Sequence, residues 1–372
     1  MDSTARPISI VHAFSRRNAG DGLLVDLTLE LLGDAGIAPE KCRVYALDPE
    51  SFPDLLRVER APGEPAARPS SKLLHAAAEA GKAAFGFGDL RRKLHASRAI
   101  VAVGGGYLVG DEPVRQTGVM LNHFAQLAAA ADAPCPTVYL PQSIGPLQAP
   151  SAAMLKPKLK KLDRVWVRDD ESARELPFGC VRRAPDLAVM KLGRSFANLE
   201  VPPSQGPIVL IGRDLPRAPM LPTDLRALSD ALPDHVWAVQ AETEGKRDDR
   251  EFYRRSGFEW SGRTAELMDA PSGPVISVRL HGAIAALLAG RPAIHLAYER
   301  KGRGAFEDLG IADYVHDVRN FDPGKVAAQG LELQRNATAY WDAIRGAAKR
   351  LSHEWDRVVQ DFVARLANRD EF

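Results

Sequence analysis

The chain has 372 residues, 45% of them hydrophobic, enough for a substantial core and for two domains rather than one. Its 49 Lys and Arg nearly cancel its 48 Asp and Glu, so no bulk field exists to hold nucleic acid, and any anion must be gripped by a local constellation. Cys42, Cys135 and Cys180 have no zinc-ligand or disulfide-framework spacing, and neither a secretion signal nor an apolar run of about 18 residues is visible. A cytoplasmic protein is expected, with scope for peripheral contact at the inner face of the membrane.

Short β-rich runs alternate with helical patterns from the start. "ISIVHAF", "CRVYAL", "AIVAVGGG", "TVYLPQSIG" and "RVWVRD" are separated by stretches such as "DGLLVDLTLELLGDAG" and "GVMLNHFAQLAAAAD", the signature of a parallel sheet with crossover helices. Residues 57–82, rich in Pro, Ala, Arg and Glu, break that rhythm and read as a surface excursion or mobile loop. After the polar stretch "GRSFANLEVPPSQGP" the alternation resumes with "IVLIGRD", "HVWAVQAE", "PVISVRL", "PAIHLAY" and "YVHDV". This places a boundary near 192–206 and two domains, 1–195 and 196–372. From Pro323 to Asn368 the pattern is helical, with Leu331, Trp341, Ile344, Leu351, Trp355, Val358, Val359, Phe362 and Leu366 at helical spacing. Such a stripe reads as core packing, and these helices are expected to pack back on the first domain. No repeat of roughly 20 to 50 residues is visible. Two doubly wound sheets facing a cleft are the expected architecture, with ligands beyond the carboxyl ends of the strands.

Five motifs fall at such strand ends: "RRNAGDG" (16–22), "GGGYLVGD" (104–111), "PQSIGP" (141–146), "VRDDES" (167–172) and "VRLHG" (278–282). Gly104, Gly105 and Gly106 let backbone amides approach a ligand, or simply make a tight turn. The spacing fits neither G-x-G-x-x-G nor a P-loop. Asp21 reads as a helix cap or as a site carboxylate. Asp169, Asp170 and Glu171 read as cap and first-turn charges, with a metal-binding acidic motif as the rival reading. Arg168, at a strand end, offers a planar fork to a carboxylate or phosphate. On a strand, Arg279 and His281 would share one face with Leu280 on the other, so both could reach one ligand. His281 is then a proton-transfer group, or else a satisfied structural histidine at a helix start. His12 and His295 read as structural.

In this order the motifs resemble the polysaccharide pyruvyl transferase family, through "NAGDG", "GGGYLVGD", "LPQSIGP", "VWVRDDESARELP", "APDLAV" and, most specifically, "VISVRLHGAIAALLAGRPAIHLAYERKGRGAFEDLGI". The resemblance spans roughly residues 8 to 311. It implies a GT-B-like α/β fold of two Rossmann-type domains. It also implies transfer of a pyruvyl group from phosphoenolpyruvate to a sugar of an exopolysaccharide or cell-surface glycan, free or lipid-linked, giving a cyclic ketal and phosphate. Carried over by position, the catalytic histidine falls on His281, its neighbouring anion-binding arginine on Arg279 and the arginine of the "RD" motif on Arg168. Lys301 and Arg213 match further basic positions. Gly104, Gly105, Gly106, Ser143 and Gly145 are expected to contact the donor, and Asn18, Asp21, Asp111 and Glu242 the acceptor or cleft. No cofactor or metal is expected.

Phosphoenolpyruvate bears a carboxylate and a phosphate, so two or three converging cations suit it. One rival reading is a GT-B glycosyltransferase with a nucleotide-sugar donor, for which Glu242 or Glu244 would face the ribose. The other is a non-catalytic scaffold of a polysaccharide assembly complex, which would have no need of Arg168, Arg279 and His281 together.

Overall fold

The short, β-branched runs, bounded by turn-forming residues, pair in parallel throughout both halves in the computed structural model, which describes residues 6–63, 86–199, 201, 206–243, 248–269 and 273–370. The chain forms two parallel-sheet α/β domains. The first sheet contains β1 (Ile8–Ala13), β2 (Cys42–Ala46), β3 (Val58–Arg60), β4 (Ala99–Ala102), β5 (Gly105–Gly110), β6 (Thr137–Leu147), β7 (Arg164–Val167) and β8 (Val181–Arg183). Its order is β3-β2-β1-β4-β6-β7-β8, with β5 paired to β6. The second contains β9 (Ile208–Ile211), β10 (His235–Val239), β11 (Trp260–Arg263), β12 (Val275–Ser277), β13 (Ala293–Ala297) and β14 (Val315–Asp317), ordered β11-β10-β9-β12-β13-β14.

Each order reverses once. In the first sheet the chain runs outward from β1 to β2 and β3, then resumes at β4 on the other side of β1. In the second it runs outward from β9, then resumes at β12. Adjacent strands whose crossovers leave in opposite directions open a crevice at their carboxyl ends, where ligands of such sheets bind. The residues placed there are Gly104–Gly106 after β4, Arg213 after β9, and Arg279 and His281 after β12.

By contact, the chain divides into two compact units: Met1–Arg16, Leu24–Leu187 and Asp356–Phe372 form one, and Arg17–Leu23 with Ala188–Trp355 the other. Neither unit is a continuous stretch of chain, in contrast to the division at 195/196 expected above. Two helices cross between units: Ala19–Asp34 begins in the second and continues in the first, and Thr338–Asp370 changes membership after Trp355. On that last helix Trp341, Ile344, Leu351, Trp355, Val358, Phe362 and Leu366 are buried, so the apolar stripe is packing. No helix among the described residues is long and apolar enough to cross a membrane.

Three expectations are corrected. Residues 57–82 do not begin as a loop, because Val58–Arg60 is β3, paired in register with Val44–Ala46 of β2. Its polar sequence suits an edge strand, whose one open side faces water. Residues 64–82 of that segment lie outside the described residues. The stretch "GGGYLVGD" is not a loop following a strand: Gly105–Gly110 is itself β5, and β6 runs through "PQSIGP" to Leu147. Finally, Arg279 and His281 do not lie on a strand. β12 ends at Ser277, Arg279 is the N-cap of helix Leu280–Leu288 and His281 is in its first turn, so period-2 alternation does not bring them together.

Candidate functional site

In the second unit the backbone leaves β12 through a tight local bond pattern. The Ser277 hydroxyl donates to the Arg279 carbonyl at 2.8 Å and accepts from the Arg279 amide at 3.1 Å. The Arg279 carbonyl in turn accepts from Gly282 and Ala283, starting the helix that carries His281. The Arg279 guanidinium is buried and meets the buried Asp249 as a fork: Nε lies 3.1 and 2.9 Å from the two carboxylate oxygens, and Nη2 also donates to Oδ1. Burial works against the Arg279 charge, and Asp249 more than offsets it, so its pKa lies above the ordinary arginine value.

Asp249 does more than neutralise Arg279. Its Oδ2 also accepts from the Gln240 amide at 3.2 Å and the Ala241 amide at 2.9 Å, fixing the corner after β10. That corner receives the "NAGDG" segment. Ala19 N–H donates to Gln240 O at 3.2 Å, Glu242 N–H to Arg17 O at 2.9 Å, and Asn18 bridges Ala241 in antiparallel fashion. Asn18 precedes helix Ala19–Asp34 and its Oδ1 accepts from Gly20 N–H at 3.3 Å, so Asn18 does the capping expected of Asp21. Asp21 sits in the first turn and its Oδ2 accepts from Asn18 Nδ2 at 2.9 Å. Gly20 packs on the imidazole of His281: a Cβ at position 20 would lie 2.9 Å from His281 Cβ and Nδ1. Gly282, the next residue, has no room for a side chain against the Gln240 side-chain oxygen and the Ser277 hydroxyl unless they shift.

Arg213, after β9, lies with its guanidinium carbon 4.8 Å from the ring centroid of Tyr298 and donates from Nη1 to the Tyr298 hydroxyl. Its Nε is buried without a hydrogen-bond partner among the described residues. Tyr253, buried beneath, accepts from Gly212 N–H at 2.9 Å and donates to Ala238 O at 2.7 Å, which holds the start of the β9 loop. Glu242 lies 3.0 Å from Arg263 Nε and 3.6 Å from Arg250 Nη1. Lys301 is in helix Arg300–Asp308, and its side chain lies outside what is described, as does Glu244. His295 donates from Nδ1 to Ser277 O at 2.9 Å and stacks near Phe306, the structural role read from the sequence.

In the first unit Arg168 follows β7 and is buried with Asp186, each side chain 2% exposed. Nη1 donates to Asp186 and Nε to the Ser143 hydroxyl at 3.0 Å, while Nη2 is buried without a hydrogen-bond partner among the described residues. Ser143 donates onward to Asp169 Oδ2 at 2.6 Å. Asp169 Oδ1 accepts from both the amide and the hydroxyl of Ser172, capping helix Asp170–Glu175. The exposed Asp170 pairs with Arg183 at 3.5 Å, so the acidic cluster points in separate directions. Among the described residues no group of three His, Cys, Asp or Glu side chains is placed to hold a metal ion. A Cβ on Gly104 would lie 2.7 Å from Pro141 O, so this glycine lets β6 close on the turn before β5. Gly105 has φ of 141°, which favours glycine, and half-buried Gly106 follows it in β5. Gly145, with φ of 87°, packs against Glu175. Asp111, just past β5, faces Arg115 at 3.4 Å, and its Oδ1 is buried without a hydrogen-bond partner among the described residues.

His12, also read as structural, has φ of 68° and is buried in a polar cluster under β5 and β6. Its Nε2 lies 2.8 Å from the Tyr139 hydroxyl and its Nδ1 3.2 Å from Nδ1 of His123, and the Tyr107 ring stacks on both imidazoles. Burial first, and the neighbouring His123 second, hold the His12 pKa well below its ordinary 6.5.

Thus the structure groups Asn18, Asp21, Arg279, His281 and Glu242 around one corner of the second unit, with Arg213 at the adjacent strand end. It groups Arg168 with Ser143 in the first. Sequence reasoning missed Asp249, Asp186 and Gln240. The available signal was a lone carboxylate in the apolar "APDLAV"; Asp249, within "KRDDRE", carried none.

Two parallel-sheet α/β domains with polar and cationic groups at the switch points define a GT-B-like protein. Anabaena HepE in complex with UDP-glucose has this fold, with 14% identity and a TM-score of 0.60 over 98% of this chain and 99% of that one. MnaA of S. aureus with UDP matches at 12% identity and 0.53 over 95% of each chain, and the UDP-GlcNAc 2-epimerase of Methanocaldococcus jannaschii at 9% and 0.53 over 96% and 99%. No curated protein matches the chain in sequence. The chain belongs to the polysaccharide pyruvyl transferase family, whose profile matches residues 18–244. The matched stretch contains Arg168 and ends before Arg279 and His281.

Proposed function

We propose that the chain moves the pyruvyl group of phosphoenolpyruvate onto two hydroxyls of a glycan sugar. The observation that carries this reading is the pair after β12: a guanidinium locked by Asp249 and an imidazole two residues on, beside the strand-order reversal of the second sheet. In this role His281 protonates C3 of the enol, which becomes the methyl group. C2, left electron-poor, is attacked by a sugar hydroxyl whose proton returns to the imidazole. Phosphate leaves with the C2–O electron pair, and a second hydroxyl adds at C2 and gives its proton to the released phosphate, closing the ketal. Arg213 offsets the donor's negative charge, and Arg168, Arg279 and Lys301 are assigned cation roles by the family resemblance. The acceptor is a free or lipid-linked oligosaccharide, and a cytoplasmic location at the inner membrane face suits the latter. The nucleotide-sugar reading needs Glu242 or Glu244 to face a ribose, and of these two Glu242 is engaged with Arg263 and Arg250.

The test incubates the full chain with phosphoenolpyruvate and methyl glycosides of glucose, galactose and mannose. Inorganic phosphate and a pyruvyl-ketal mass on one glycoside are expected, and His281→Ala should lower turnover by about 10²–10⁴-fold with an unchanged unfolding midpoint. Wild-type turnover by His281→Ala removes the histidine from the reaction. Thermal stabilisation by UDP-glucose with none by phosphoenolpyruvate overturns the reading in favour of its rival.

A further inference from the structure

The contacts around His281 close on themselves. Arg279, the N-cap of its helix, is bound by Asp249. Asp249 holds the amides of Gln240 and Ala241, and these two residues hold Asn18 and Ala19. The next residue, Gly20, returns to the imidazole, with a Cβ position 2.9 Å from His281 Nδ1 and 3.2 Å from Cγ. A separation under 3 Å between carbon or nitrogen centres is well inside contact distance, so no side chain fits there without moving the ring. The Gly20 φ is not of the kind that needs glycine, whereas Gly36 and Gly105 have positive φ. Its requirement is for space.

We propose that Gly20 is a positioning residue for His281. Its bare backbone forms one wall of the imidazole's seat, and the Asp249-centred ring of bonds holds that wall in place. A base or acid acts only within hydrogen-bond reach of the proton it moves, and a ring displaced by an ångström leaves that reach. This explains why a segment following β1 is bonded into the second unit: it completes the surroundings of a residue that lies far along the sequence. The inference rests on the proton-transfer reading of His281, and its test separates the two.

The full chain carrying Gly20→Ala is compared with wild type, with His281→Ala, and with Gly33→Ala, a substitution on the same helix where an added methyl meets nothing within 4 Å. Turnover with phosphoenolpyruvate and the reactive methyl glycoside should fall by about 10- to 100-fold in Gly20→Ala. Calorimetric affinity for phosphoenolpyruvate should stay at the wild-type value. The ¹H–¹⁵N signals of the His281 imidazole, assigned by their absence in His281→Ala, should shift in Gly20→Ala and stay in place in Gly33→Ala. Unshifted imidazole signals overturn the positioning role whether or not turnover falls, and so does wild-type turnover. Full turnover by His281→Ala overturns the proton-transfer reading itself, whatever Gly20→Ala does.

Discussion

Arg168 and Arg279 follow parallel strands in different units, and each is buried against a carboxylate, yet the two carboxylates do different work. Asp249 spends its second oxygen on two backbone amides, so the Arg279 pair also ties together a corner, a helix start and the segment Arg17–Leu23. Arg168 is shared between Asp186 and the Ser143 hydroxyl, and one arm of its fork keeps no protein partner among the described residues. The same sequence grammar, a strand followed by arginine, thus yields an architectural joint in one unit and a partly uncommitted cation in the other. A buried charge is expensive unless paired, which is why both arginines need carboxylates.

The sharpest way to break this comparison is to remove each carboxylate. Both Asp249→Ala and Asp186→Ala should destabilise by about 3–5 kcal/mol, because each takes the carboxylate from beside a buried guanidinium. Asp249→Ala should lie at the upper end, since two amides lose their acceptor as well. Urea unfolding reads the difference, and an equal or reversed order would mean that Asp249 is no more of a joint than Asp186.

A smaller effect is expected of Arg168→Lys. The ammonium can stay beside Asp186 but offers no second arm, so phosphoenolpyruvate affinity should fall by roughly tenfold while the unfolding midpoint holds. Calorimetry showing unchanged affinity would make Arg168 purely structural. The smallest effect concerns the His12 cluster. With its folded pKa depressed, the unfolded chain takes up the proton first as pH falls below 6.5. The corresponding stability is therefore present above that value and is lost toward the folded pKa, by about 1.4 kcal/mol per pH unit. Urea midpoints between pH 7.5 and 5 should show this slope, and His12→Gln should flatten it; a slope unaltered by His12→Gln assigns acid sensitivity elsewhere.

Much of the scaffold was legible because central strands such as Ile8–Ala13 and Ile208–Ile211 are buried on both faces and read as continuous apolar runs. Three edge strands were not: Val58–Arg60, Val181–Arg183 and Trp260–Arg263 are short, polar and only partly covered, so their hydropathy resembles a loop. The site was half legible. Residue types and order singled out Arg168, Arg279 and His281, but the supposed strand alternation at 278–282 was wrong because the strand ends at Ser277 and the helix begins at Leu280, one residue before His281. The buried partners Asp186 and Asp249 sit 18 and 30 residues from the arginines they neutralise, a distance at which no local pattern announces a pair.

The antiparallel clasp of Asn18 on Ala241 has a consequence for how such a protein can be cut and recombined. A graft that transplanted only residues 188–355 into another host would import a receptor for a short peptide without the peptide, leaving the Gln240 carbonyl and Glu242 amide to water. The portable module is discontinuous in the gene, and Arg17–Leu23 has to travel with it.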